Sequence, residues 1–145
     1  MINPSKTRIF IIGKVRKKWI QEGIAMYLKR LPGLTIIELR ESNPQKETIT
    51  IQSALKPNEK LITLSEDGER LSSITFAQRL ENMGSQQIVF VVGGPNGLSK
   101  ELRNSTFWNF SLSPLTFPHE IAGLLLIEQL YRAQSIVQGT SYHRQ

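Results

Sequence analysis

Two short stretches of the chain carry the residue types from which a binding site can be built. The first is VVGGPNGLSK, residues 91–100, a glycine-rich loop directly after an apolar run. The dinucleotide spacing G-x-G-x-x-G fails in both registers, because Pro95 stands where Gly93 would need a second glycine and Asn96 stands where Gly94 would need one. The phosphate-cradling loop that ends in Gly-Lys-Ser/Thr fails as well, since the order here is Gly97, Leu98, Ser99, Lys100. What remains is Gly93 and Gly94 at the end of an expected strand, where open α/β sheets hold their ligands, and then a Pro95-Asn96-Gly97 turn. Missing Cβ atoms let backbone approach a flat ligand closely, a feature that implies no anion, although a plain turn has the same composition.

The second stretch is SLSPLTFPHE, residues 111–120. Pro114 and Pro118 stiffen it, and Ser111, Ser113 and Thr116 add hydroxyls, so it can present fixed amide and carbonyl groups to a ligand. A proline-bounded connector ahead of a helix reads the same way. There is no cysteine and there are two histidines, which excludes a thiolate zinc site and an all-imidazole one. No metal is expected.

The elements that must position these loops alternate between two periods. RIFIIG (8–13), LTIIELR (34–40), KLITL (60–64) and QIVFVV (87–92) are short, apolar and β-branched, as buried parallel strands are, and FWNFSLS (107–113) reads as extended. Helical spacing runs from Trp19 through Ile20, Ile24, Tyr27, Leu28 and Leu31 to a Pro32-Gly33 stop. It recurs over Phe76, Ala77, Leu80 and Met83 behind a Ser72 or Ser73 cap, ending at Gly84. Ser99 can cap a short helix, and His119 to Gln138 forms a long one. SEDGE after the third strand reads as a turn, and 41–58 reads as the most mobile loop, with at most a short helix near Thr48 to Leu55. The expected fold is α/β: one domain spanning 1–145, an open, largely parallel sheet between helices.

The last helix is apolar nearly all round. Ile121, Leu124, Leu125 and Tyr131 lie on one face and Leu126, Ile127, Leu130, Ala133 and Val137 on the other. Such a helix is covered on both sides, either within the monomer or by a second copy about a twofold axis. The hydrophobic fraction of 39% plus 10 glycines in 145 residues falls in the about 45–50% of ordinary globular chains. The apolar run Ile9–Ile12 is too short for a leader or a membrane span, so the cytoplasm is the expected compartment. A net charge of +6 favours a polyanionic partner, and Lys14, Arg16, Lys17 and Lys18 cluster ahead of the first helix, where they serve either as solvated helix-end charges or as an RNA-facing patch.

GGPNGLS, SLSPLTFPH, IEQLYRAQSI and a terminal SYHR, in this order and at these intervals, closely resemble the small bacterial SPOUT-class methyltransferases that modify N3 of a pseudouridine in 23S ribosomal RNA. The resemblance covers essentially the whole chain. It implies a homodimer, a C-terminal trefoil knot, and knot loops that grip S-adenosylmethionine through backbone groups. On matching positions it assigns the cofactor to Leu64, Gly93, Gly94, Ser113, Pro114, Leu115, Thr116, Phe117 and Pro118. It also implies action on the assembled ribosome.

The proton on N3 must leave, so a base, or an environment that stabilises the deprotonated ring, is needed. His143 and Glu128 are the candidates, Glu128 having the competing option of an i,i+4 pair with Arg132. The resemblance implies substrate contact for the tail: Tyr142 stacking on a base, Arg144 pairing with phosphate, and the tail of one subunit completing the other's pocket. His119 reads as an ordered structural residue. Gly123 stands where relatives usually have an arginine, which motivates a rival reading as a noncatalytic RNA-binding or ribosome-associated dimer.

Overall fold

In the computed structural model, which describes residues 2–144, five strands form: β1 (Thr7–Ile12), β2 (Thr35–Leu39), β3 (Glu59–Arg70), β4 (Gln87–Val92) and β5 (Trp108–Ser111). All are parallel, in the order β2-β1-β4-β3-β5. The connecting helices are α1 (Lys18–Arg30), α2 (Pro44–Ala54), α3 (Ser73–Met83), α4 (Lys100–Ser105) and α5 (His119–Gln138). Among the described residues no helix is long and apolar enough to cross a membrane, and no three His, Asp or Glu gather to hold a metal.

The apolar strands feed two cores because alternate side chains point to opposite faces. Ile9 and Ile11 of β1, with Phe90 and Val92 of β4, pack under α1, α3 and α5, while Phe10, Ile12, Val89 and Val91 face α2 and α4. Arg8 ties the second face together: its Nε and Nη2 donate to the two carboxylate oxygens of Glu59 at 2.8 and 2.6 Å, and Nη2 also reaches the Ala54 carbonyl that ends α2.

Segment 41–58 is not the loop expected of it. Asn43 caps a full helix there by accepting from the Lys46 N–H at 2.8 Å, and Pro44 takes the first helical turn, where its missing N–H costs nothing. Glu47 is buried because its carboxylate accepts from the Ser42 N–H at 2.7 Å, and Ile51 plugs the second core.

SEDGE is also not a plain turn. β3 continues through it to Arg70, but both Leu64 and Glu69 lie opposite Phe110 of β5, so residues 65–68 bulge out of the ladder. Gly68 makes this shape possible, since a Cβ there would stand 2.5 Å from the Phe110 carbonyl carbon. Gly68→Ala is therefore expected to cost about 1–3 kcal/mol through backbone displacement, read as a lowered melting temperature. An unchanged melt would show that β5 yields freely.

Along α5, the face carrying Leu126, Ile127, Leu130 and Ala133 is the buried one. The opposite face is half-buried between α1 and α3, with Tyr131 against Tyr27 at 5.8 Å between ring centroids and Leu124 against Gly23. Gly139, with φ of 74°, ends the helix in the left-handed conformation that glycine adopts without strain. Gly123 is buried, and a Cβ on it would lie 3.1 Å from Ile11, so the position of the missing arginine is a close approach of α5 to β1.

Candidate active site

Three segments meet at the carboxyl edge of the sheet: the β3 bulge, the loop after β4, and the connector from β5 into the first turn of α5. Together they enclose a cavity of about 400 Å³, within the size range of small-molecule sites. Of the residues singled out from sequence, Leu64, Gly93, Gly94, Ser113, Leu115 and Phe117 line it. Pro114, Thr116 and Pro118 belong to the same connector but stand exposed beside the lining.

The glycines have a packing reason of their own. A Cβ on Gly93 would meet Leu98 Cγ at 3.0 Å and the Gly97 carbonyl carbon at 3.2 Å, and one on Gly94 would meet Ile12 Cγ2 at 3.1 Å. Tight packing of the loop on itself and on the end of β1 therefore excludes side chains there. The turn needs Gly97, whose φ is 71° and whose N–H donates to the Gly94 carbonyl at 2.9 Å. Ser99 then caps α4 by accepting from the Leu102 N–H at 3.1 Å, and its hydroxyl also bonds that of Thr48 on α2.

Sequence reading missed the charged part of the wall, Glu66, Asp67 and Arg103, and took His119, which also lines it, as an ordered structural residue. The Arg103 guanidinium reaches both Asp67 oxygens through Nη1, at 3.0 and 2.9 Å. Hydrogen bonds from the Ser65 hydroxyl and then from Arg103 hold the Asp67 carboxyl below its usual range. Among the described residues, two buried atoms of this wall, Arg103 Nε and His119 Nε2, have no hydrogen-bond partner. Orphaned groups of this kind call for an explanation, and a ligand is one.

The tail residues gather elsewhere. The Tyr142 hydroxyl donates to Glu128 Oε2 at 2.8 Å and lies 3.0 Å from that of Tyr27, while its ring meets Tyr131 edge-on at 4.7 Å. Burial, then the bonds to Tyr27 and Glu128, push the Tyr142 phenol well above its ordinary value. Glu128 also pairs with Arg132 at 2.7 Å and accepts from Gln129 at 2.8 Å. Arg132 Nη1 stands 3.1 Å from His143 Nδ1, and Arg144 is exposed. None of Glu128, Tyr142, His143 or Arg144 lines the cavity; about 15 Å of helix axis separates Ala122, in its wall, from Arg132.

The chain matches the family model described as "Predicted SPOUT methyltransferase" over residues 5–143. It belongs to the SPOUT methyltransferases. The matched span takes in all three cavity segments of this SPOUT methyltransferase and its tail through His143. Similar chains include "Ribosomal RNA large subunit methyltransferase H" of Synechococcus sp. (strain CC9605), 59% identical over 143 residues that cover 99% of each chain. The proteins of that name from Prochlorococcus marinus strains MIT 9211 and NATL1A are 58% and 55% identical, over 99% and 100% of each chain.

Proposed function

We propose that the chain is an S-adenosylmethionine-dependent methyltransferase that acts on N3 of a pseudouridine in large-subunit ribosomal RNA, on the assembled ribosome in the cytoplasm, as a homodimer. The observation that carries this reading is the cavity built from the loops of a family match that spans nearly the full chain. The residues fit the cofactor: Leu64, Leu98, Leu112, Leu115 and Phe117 offer apolar walls for a nucleoside, and the orphaned Arg103 Nε and His119 Nε2 offer polar contacts. The family match supports the trefoil knot.

When bound, the cofactor supplies a methyl group on a sulfonium, an electrophile that needs no metal. Leu64, Gly93, Gly94 and the 113–118 connector would hold the nucleoside and so orient the methyl donor toward the pseudouridine ring. Glu128 already accepts from Tyr142, Arg132 and Gln129, so its carboxylate oxygens are occupied and anchor the tail. Proton removal then falls to His143, with Arg144 on phosphate and Tyr142 against a base. Because these residues lie away from their own cavity, a second copy brings its tail to the site. The exposed Trp19 and Met26 of α1 beside the half-buried face of α5 support that pairing.

RNA contact is supported by the basic loop after β1. Glu120 Oε1 accepts from the Arg16 and Lys17 N–H groups at 2.7 and 3.0 Å, which leaves Lys14, Arg16, Lys17 and Lys18 exposed next to the cavity wall at His119.

The test is methyl transfer from labelled S-adenosylmethionine to ribosomes lacking the modification, with naked ribosomal RNA alongside and mass spectrometry to locate the methyl group. A methyl on pseudouridine N3 in ribosomes is expected. No transfer with normal cofactor binding points to another RNA, and no transfer without cofactor binding favours the noncatalytic dimer.

A further inference from the structure

We propose that Asp67 and Arg103 form a recognition site for the zwitterionic amino-acid end of the cofactor, Arg103 taking the α-carboxylate and Asp67 the α-ammonium. The inference rests on the S-adenosylmethionine reading. A nucleoside can be held by apolar walls and backbone groups, but an ammonium and a carboxylate on one carbon need one acid and one base side by side. Asp67 and Arg103 are such a pair in the cavity wall, already in contact, and the exposed Glu66 adds negative charge beside the ammonium position.

The fold places both residues independently of each other. Leu102, 1% exposed, is buried in the core under α4 and so fixes the helix rotation that places Arg103, about 100° further round, in the cavity wall. Asp67 stands at the top of the bulge that the Gly68–Phe110 contact shapes, and Ser65 Oγ holds its Oδ1 at 2.8 Å. Neither placement requires the salt bridge.

The bridge is also incomplete in a way that suits a carboxylate. Arg103 spends one nitrogen, Nη1, on both oxygens of Asp67, whereas a guanidinium grips a carboxylate best with two parallel N–H groups. Its Nε is buried without a partner. The Asp67 side chain is 70% exposed, and an ion pair so open to water contributes little to stability, so exchanging it for two contacts with a ligand costs little. On binding, Arg103 turns from Asp67 to the ligand carboxylate, and Asp67, still held by Ser65, accepts from the ammonium.

The experiment compares two ligands by calorimetry: S-adenosylhomocysteine, and 5′-methylthioadenosine, which keeps the nucleoside and the sulfur but lacks the amino-acid end. They are titrated into the full chain and into Asp67→Asn and Arg103→Met. Each substitution is expected to weaken S-adenosylhomocysteine about tenfold and to leave 5′-methylthioadenosine unchanged. Equal weakening of both ligands, or of neither, overturns the proposal, the first by showing a structural role and the second by showing no contact. The 5′-methylthioadenosine titration doubles as a check that each variant keeps its cavity. A wild-type chain that binds neither ligand overturns the cofactor reading itself.

Discussion

Alanine at His143 or at Arg144 is expected to lower turnover by about 100-fold or more, the scale of a lost general base or its equivalent, while cofactor affinity stays close to that of the unaltered chain. The reason is spatial. Neither residue lines the cavity of its own chain, so the walls that would hold the nucleoside are untouched by the substitution. Both follow Tyr142, which is fixed by Tyr27, Glu128 and Tyr131, so truncation of the next two side chains leaves the tail anchored. His143 Nδ1 faces Arg132, a permanent donor, which assigns Nδ1 as acceptor and puts the ring proton on Nε2 in this arrangement. Taking a proton from a substrate then requires His143 to leave Arg132. Single-turnover methyl transfer at saturating ribosomes, alongside calorimetric cofactor binding, checks the prediction. Wild-type turnover in both variants would remove the tail from the mechanism.

The second large effect concerns stability. Arg8→Met is expected to destabilise the fold by about 3–5 kcal/mol, because it strands a buried carboxylate. Arg8 and Glu59 have side chains only 16% and 4% exposed, and Arg8 also satisfies the last turn of α2 through Ala54. The pH dependence separates this from simple loss of packing. Burial alone would raise the Glu59 carboxyl, but the Arg8 hydrogen bond and charge, with the Lys56 N–H, outweigh it and hold the group below its ordinary value. A depressed carboxyl stabilises the fold above its unfolded value and loses that contribution as pH falls through the folded value. In the variant, Glu59 instead binds a proton more readily when folded, so acid relieves the strain. Thermal melts at pH 7 and pH 4 are expected to show the gap between wild type and variant narrowing in acid. A gap of constant width would mean that packing, not charge, sets the cost.

Much of the fold was legible because local signals and burial agree. QIVFVV is apolar on both faces and became β4 over its expected residues, and the Ser72 hydroxyl caps α3 by accepting from the Thr75 N–H. α2 was hidden because its residues disagree with its state: Thr48, Ile49, Thr50 and Ile51 are β-branched and favour strands. The readable signal was Asn43-Pro44, a cap followed by a first-turn proline, which composition alone turns into a loop. The bulge was illegible because the contact that shapes it pairs Gly68 with Phe110, far apart in sequence. For the same reason Asp67 and Arg103 could not be paired beforehand. The two cavity loops were visible as motifs, yet the packing reason for Gly93 and Gly94 needed Leu98 and Ile12 in place.

The strand order has a consequence for how the chain is made. β1 is the second strand of the sheet, between β2 and β4, and β3 is bonded only to β4 and β5. During synthesis β1 and β2 can join as soon as residue 39 emerges, but the other edge of β1 stays open until Gln87–Val92 follows. Until then Ile9, Phe10, Ile11 and Ile12 sit on an unpaired apolar edge, a template for pairing with another nascent chain. Sheets assembled from such distant segments fold slowly, so refolding yield is expected to fall with protein concentration, and β4 is the segment whose arrival ends the exposure.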